Sequence, residues 1–308
     1  MKHVLMSLAS VMFCTLFAAV AVAASDPVTL SKYPQIKVGF TSWNFSRQMP
    51  VNVANAKKWL DYAADNGFAW MELRDPAASL SLADCKDIAA YARQRKVEVV
   101  YAIAVGPLDG NYWETFSRAV ANAGTFDGPR VVRTSLPGQE FATDPKKTAW
   151  TKAEFSRVVD NVNRAADTAK MFGLQHAVEN SSEILKGDGD SSFGTTEFLA
   201  AVNRNAGWQI DVANFFVNAR VPVKAEDVRA FLDKFAERLV YAHIKTATPD
   251  NKPAPALGNT NPLPFDAVFQ AMAKTKTPYV AIEVPQPDSL DALYANMKQS
   301  VDFLRRNY

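Results

Sequence analysis

Phe172-Gly173-Leu174-Gln175-His176-Ala177-Val178-Glu179-Asn180 is the stretch on which the fold turns. Apolar residues recur at helical spacing over Lys152–Phe172 and stop at Gly173, where a helix C-cap needs left-handed backbone. Leu174–Glu179 follows at once, a short apolar run of strand character that closes in a carboxylate. Outward from it, the same unit recurs in both directions. Strands are predicted over Ile36–Thr41, Ala69–Leu73, Val97–Ala104, Arg130–Thr134, Trp208–Asp211, Leu239–Lys245 and Tyr279–Val284 as well, eight in all. Helical spacing fills Ala54–Asn66, Leu82–Lys96, Phe116–Ala123, Thr196–Asn205, Ala225–Ala236, Phe265–Lys274 and Asp288–Arg305. Asn66-Gly67-Phe68 and Ala206-Gly207-Trp208 repeat the glycine at the helix end.

Eight such units, with no Pro/Ser-rich linker or charge block between them, predict an α/β chain folded as a single (β/α)8 TIM barrel over residues 36–308. The competing architecture, an open doubly wound sheet, announces itself with a glycine-rich first turn. Here the first strand runs into Thr41-Ser42-Trp43-Asn44-Phe45, and no G-x-G-x-x-G or Walker sequence occurs. Nucleotide cofactors and phosphoryl transfer lose their usual support. Leu136–Lys147 and Ala247–Pro264 read as long loops after strands four and seven, on the C-terminal face where barrel active sites lie.

Composition narrows the function. The 308 residues are 48% hydrophobic and 21% charged, which is ordinary for a globular chain. Lys+Arg 34 against Asp+Glu 32 leaves no basic excess for a phosphate-binding surface, so nucleic acid is not an expected partner. Met1-Lys2-His3, an apolar run from Val4 through Val20 and the small-residue end Ala21-Val22-Ala23 read as a secretory signal peptide over 1–23, with cleavage after Ala23 or Ala24. A leader over 24–35 then precedes the barrel. The expected product is exported, periplasmic or secreted, with no membrane association once the signal is removed. It keeps two histidines, His176 and His243, and one cysteine, Cys85, so no intramolecular disulfide supports it.

Strand parity gathers the chemistry. Alternate residues of a barrel strand point inward, and the last inward residue faces the mouth. The late strands close in Glu179, Asp211, His243 and Glu283, while their neighbours Val178, Ile210, Ile244, Ile282 and Val284 are apolar. All four polar groups are therefore sent to one place. Three carboxylates crowded in a partly dry site need a cation or a shared proton. A divalent metal explains the added imidazole most simply, and an oxygen-rich set with one histidine favours Mn²⁺, then Mg²⁺ or Co²⁺, with Zn²⁺ as a further candidate. The bland alternative makes each one a surface acid or helix cap after its strand.

Val38-Gly39-Phe40, Gly67 through Glu72, Ala177-Val178-Glu179-Asn180, Asp211, His243-Ile244-Lys245 and Ile282-Glu283, taken in order, resemble the xylose isomerase-like TIM barrels, in particular the sugar phosphate isomerase/epimerase branch. The resemblance spans nearly all of the chain after the signal. It implies that Glu179, Asp211, His243 and Glu283 bind one divalent metal and that Glu179 and Glu283 shuttle protons. The implied activity is a sugar isomerase or epimerase that abstracts a proton α to a carbonyl through a metal-stabilised enediolate. Nucleases of the same superfamily need a cluster of extra histidines for zinc, which this chain lacks. Xylose isomerases proper need a histidine early in the barrel, and none precedes His176. Asn214 stands where some epimerases carry a substrate-binding histidine.

Around the expected metal, Lys245 shares the parity of His243 and is a candidate substrate contact, or else a lysine reaching out of the rim. Glu72 and Arg74 share one face at the end of strand two and are expected to pair and line the pocket. Trp43 is placed to stack on a sugar ring or simply to pack. Asn180 is assigned to substrate or to the support of the ligands, and Asn214 to substrate. His176, of opposite parity to Glu179, is read as a packing residue between strand and helix, and Cys85 as an inert small hydrophobe. Export favours free sugars, keto-sugars or glycosides over phosphorylated ones. A metal-dependent lyase or hydratase on 3-keto-glycosides and a non-catalytic carbohydrate-binding barrel remain alternatives, and a homo-oligomer stays open.

Overall fold

The computed structural model describes residues 26–136, 150–180, 195–216, 224–248, 252–258 and 263–308. The expected signal peptide, most of the loop expected at Leu136–Lys147 and part of that expected at Ala247–Pro264 lie outside the described residues. Eight parallel strands alternate with helices: β1 (Lys37–Thr41), α1 (Val53–Asp65), β2 (Trp70–Arg74), α2 (Leu82–Arg95), β3 (Glu98–Ala102), α3 (Tyr112–Ala123), β4 (Val131–Ser135) and α4 (Lys152–Met171) make the first half. The second half is β5 (Gln175–Glu179), α5 (Thr195–Ala201), β6 (Ala206–Asp211), α6 (Ala225–Phe235), β7 (Leu239–Ile244), α7 (Phe265–Met272), β8 (Tyr279–Ile282) and α8 (Leu290–Asn307). The strands close in chain order, β1 pairing with both β2 and β8, into one barrel. The expected single-domain (β/α)8 architecture is the observed one. No helix among the described residues is long and apolar enough to cross a membrane.

Local chemistry sets the helix ends. Ser81 and Asp84 form a reciprocal capping box at the start of α2, as Thr151 and Glu154 do for α4. Gly67 (φ 74°) and Gly173 (φ 66°) adopt the left-handed backbone that their sequence position calls for. The third expected cap does not form. Helix α5 has already ended at Ala201, and Gly207 lies inside β6. A Cβ there would lie 2.2 Å from Val240 Cγ2, so Gly207 is required by the close approach of two strands rather than by a turn. Gly207→Ala is expected to cost about 1–3 kcal/mol through overpacking, read as a lowered urea midpoint at unchanged slope.

The two faces of the sheet carry different chemistry. On the outside, Phe40 packs against Phe68 (5.2 Å between ring centroids) and Tyr62 (5.6 Å), joining β1 to α1. The barrel interior is layered along its axis. At the N-terminal end Lys37 pairs with Glu98 (2.7 Å), which also accepts from the Tyr279 hydroxyl. Above it, Trp70 packs edge-on against Tyr279 (5.4 Å) and Tyr241 (5.7 Å). Above this aromatic layer the Tyr241 hydroxyl donates to Glu72, the first of the polar groups towards the C-terminal end. The segment before β1 is built into the same body: Val28 and Leu30 are buried, and the Val28 N–H donates to the Gly67 carbonyl.

Candidate metal centre

Glu179 and Asp211 end β5 and β6, His243 stands one residue before the end of β7, and Glu283 directly follows β8. Adjacent registers bring them together, Asp211 lying opposite His243 and His243 opposite Ala281. One ligand atom from each of the four lies within 4.8 Å of all the others. Asp211 and His243 are fully buried, while Glu283 and Glu179 keep 6% and 8% exposure towards the mouth. Period-two side-chain alternation is what produces this convergence.

His243 has two distinct edges. Its Nε2 lies 3.0 Å from Glu72 Oε2, and its Nδ1 lies 3.0 Å from Glu283 Oε2 and 3.7 Å from Glu179 Oε1. Glu72 thus orients the ring so that Nδ1 faces the carboxylates, as an outer carboxylate does for a metal-ligating histidine. His243 Nδ1 and Glu283 Oε2 come close without hydrogen-bond geometry, and both are buried with no hydrogen-bond partner. Buried polar atoms with no partner are costly. A divalent cation between them would satisfy both, so the donor set fits the metal that the sequence implies.

Electrostatics agree with a site short of positive charge. Burial alone would pull the His243 imidazole down, but the Glu72 carboxylate and then Glu283 raise it to about 10. Burial pushes the Asp211 carboxyl up to about 6, opposed by Lys245 and reinforced by Glu283. Glu283 goes the other way: burial opposes its ionisation, yet the Lys245 charge and His243 hold it well below the usual carboxylate range. Protonated His243 and Lys245 are therefore the cations that the ligand set itself provides. A metal ion at Nδ1 competes with a proton there.

Lys245 donates to Glu283 Oε1 at 2.7 Å and reaches Asp211 Oδ2 and Asn214 Oδ1 at 3.5 Å. It points into the mouth rather than out of the rim. Asn180 is engaged by Asp211 at both ends of its amide: Oδ1 accepts from the Asp211 N–H (2.6 Å) and Nδ2 donates to the Asp211 carbonyl (3.0 Å). Both ends of the amide are thus engaged by the Asp211 backbone. Asn214 donates from Nδ2 to the Asn180 carbonyl (3.2 Å), while its backbone N–H and that of Ala213 hold Asp211 Oδ1. It therefore belongs to the same scaffold.

The expected Glu72–Arg74 pair is not formed. Glu72 accepts from Arg133 (3.0 Å), Thr41 (2.8 Å) and Tyr241 (2.5 Å), and is wholly buried below the mouth. Arg74 instead lies over the Trp43 ring at 4.3 Å, so that indole already carries a planar group. Arg133 is the residue that the sequence reading missed. It is fully buried, pairing with Glu72 Oε1 at 3.0 Å and with Glu179 Oε2 at 2.9 Å, and it donates to the Ile103 carbonyl. An arginine inside Val131-Val132-Arg133-Thr134, at the inward parity of its strand, was the available signal. It ties Glu179 to Glu72, the carboxylate that orients His243.

His176 packs as expected, on the opposite face. It lies 2.9 Å from Thr134 Oγ1 and edge-on to Phe116 (5.3 Å between ring centroids). Burial pushes its imidazole down to about 3. The unfolded chain takes up that proton near pH 6.5, so between the two values the unfolded state binds more protons and stability falls as pH falls. Urea melts of the wild type are expected to lose stability towards pH 4 faster than those of His176→Gln, by up to about 1.4 kcal/mol per unit. Cys85 is buried in α2, and burial raises its thiol to about 12, which makes it inert at neutral pH.

Comparison with known proteins agrees with the barrel fold. The family model described as xylose isomerase-like TIM barrel matches residues 60–307. Among solved structures, a sugar phosphate isomerase/epimerase from Parabacteroides distasonis superposes with a TM-score of 0.65 at 12% identity, covering 87% of this chain and 95% of that one. A xylose isomerase-like TIM barrel protein from Mycobacterium smegmatis, in complex with magnesium, gives 0.63 at 16% identity over 88% and 97%. D-psicose 3-epimerase with D-tagatose, from Clostridium cellulolyticum, gives 0.61 at 14% identity over 88% and 99%. No curated protein sequence matches significantly.

Proposed function

The chain belongs to the xylose isomerase-like TIM barrel family, and from that premise we propose that it is an exported, divalent-metal-dependent sugar isomerase or epimerase. The observation that carries this reading is the convergence of three carboxylates and one imidazole on a point where His243 Nδ1 and Glu283 Oε2 lie 3.0 Å apart without a hydrogen-bond partner among the described residues. Glu179, Asp211, His243 and Glu283 would hold the metal, Mn²⁺ before Mg²⁺, Co²⁺ or Zn²⁺. When bound, the metal supplies a Lewis acid that stabilises negative charge developing beside a carbonyl.

The protein's own groups move the proton. Glu179 is anchored through Oε2 on Arg133 and Glu283 through Oε1 on Lys245. The second oxygen of each faces the ligand centre, and one glutamate takes the α-proton while the other returns one. The face from which it returns decides between epimerisation and net retention; return to the neighbouring carbon gives isomerisation. Lys245 and Arg133 stay protonated throughout, because each faces two carboxylates. Export rests on the reading of residues 1–23 and points to a free small-molecule carbohydrate as substrate.

The test is solvent deuterium incorporation into a panel of ketoses and 3-keto-glycosides, with metal analysis of the same protein. One equivalent of divalent metal and deuterium at the carbon beside a carbonyl are expected. Absence of metal after purification and reloading sinks the ligand assignment. Metal without exchange on any substrate favours a binding barrel, and exchange accompanied by loss of the aglycone selects the lyase.

A further inference from the structure

Among the described residues, Arg133, Lys245 and Arg74 bring Lys or Arg charges to the mouth, and the first two are engaged by carboxylates. Arg133 faces Glu72 and Glu179, and Lys245 faces Glu283 and Asp211. Arg74 is the exception. Its backbone N–H donates to Ser42 Oγ at 2.9 Å, but its guanidinium has no ion pair and no hydrogen bond among the described residues. Nε is buried without an acceptor. The guanidinium lies over the Trp43 indole, 4.3 Å from the ring centroid, and the side chain as a whole is only half-buried.

This platform is fastened beside the metal ligands. Gln286 Nε2 donates to the Trp43 carbonyl (2.8 Å), and Asn44 bridges the Ile282 carbonyl and the Val284 N–H on either side of Glu283. The Arg74 charge is felt at Glu283. Charge then identifies what is missing. Among the described residues, the four carboxyl groups of Glu72, Glu179, Asp211 and Glu283 surround the two cations Arg133 and Lys245. Arg74 is a further cation at the same end of the barrel, with no carboxylate partner among the described residues.

We propose that the substrate is an acidic sugar whose carboxylate is received by the edge of the Arg74 guanidinium on Trp43. The proposal rests on the isomerase or epimerase reading of the same site and names its substrate class. A neutral ketose offers Arg74 hydroxyl acceptors but no counter-charge. A carboxylate matches the planar fork in geometry and the unpaired Arg74 charge in sign. A phosphate ester carries about −1.5 to −2 and overshoots that charge. Arg74 is here a specificity-determining residue that touches the substrate away from the reacting carbon.

The experiment is calorimetric titration of the metal-loaded protein with D-fructuronate, D-fructose and D-fructose 6-phosphate, for wild type, Arg74→Met and Arg74→Lys. Quenching of tryptophan fluorescence supplies a second reading, independent of turnover. The uronate is expected to bind about 10–100-fold tighter than fructose, the range of one charge-assisted hydrogen-bonded pair. Arg74→Met is expected to erase that preference, and Arg74→Lys to restore only part of it, since an ammonium lacks the fork. Equal binding of uronate and fructose, a preference that survives Arg74→Met, or tighter binding of the phosphate ester each overturns the proposal. Deuterium exchange on the same samples separates it from the reading beneath it. Exchange on fructose without uronate preference keeps the isomerase and overturns the carboxylate. Arg74-dependent uronate binding without exchange supports the carboxylate and overturns the isomerase. Failure of all three ligands to bind overturns both.

Discussion

Glu179→Gln is expected to lower the rate of α-proton exchange by about 10²–10⁴-fold, the usual worth of a positioned general acid or base. The substitution is nearly isosteric and keeps an oxygen that can accept from Arg133 and Ser135, which lie 2.9 and 3.4 Å from Oε2. What it removes is the negative charge and the ability to hold a proton. Metal content measured beside exchange separates the two duties of the side chain. Metal retained with exchange lost identifies the proton carrier, and metal lost identifies the ligand. A variant that keeps both metal and more than about a tenth of the exchange rate would end the proton-transfer assignment. The fold is expected to survive, because Arg133 keeps Glu72 as its partner at 3.0 Å.

Arg133→Met is expected to destabilise the protein by about 3–5 kcal/mol, because it breaks a buried ion network from one side. Arg133, Glu72 and His243 are each fully buried. Methionine fills much of the space but leaves the Glu72 charge with only His243, Tyr241 and Thr41. Burial opposes ionisation of Glu72, and the Arg133 charge, followed by that of His243, is what holds its carboxyl well below the usual range. Urea denaturation in the presence of chelator measures the loss without linkage to metal. Adding Glu72→Gln to Arg133→Met is expected to recover part of the stability, since the unpaired charge is then gone. If Arg133→Met costs less than about 1 kcal/mol, Glu72 is not isolated from solvent, and its hold on the His243 ring is correspondingly weak.

The position of the glutamates relative to Arg133 also explains why the site tolerates three carboxylates before any metal is considered. Each negative group has at least one cation within 3.0 Å or is hydrogen-bonded to backbone N–H groups, as Asp211 Oδ1 is to Ala213 and Asn214. Pre-formed ligands of this kind lose little conformational freedom when a cation arrives.

What the sequence determined by itself was everything that depends on local period. Strand and helix alternate along the chain, and strand-end polar residues at even spacing point the same way. That was enough for the barrel and for Glu179, Asp211, His243 and Glu283, whose convergence follows from parity on four neighbouring strands. Gly67 and Gly173 were legible for the same reason, since a helix C-cap is a property of a few consecutive residues. Tertiary structure decided what meets across the barrel. Gly207 looked like its two counterparts but answers to Val240 on the next strand. Glu72 and Arg74 share a face, yet Glu72 closes on Arg133, His243 and Tyr241, 61 or more residues away in the chain. The stagger of strands in a closed barrel sets which inward side chains share a layer, and no local spacing encodes it. That stagger buried Glu72, made Arg133 its partner and left Arg74 unpaired on Trp43.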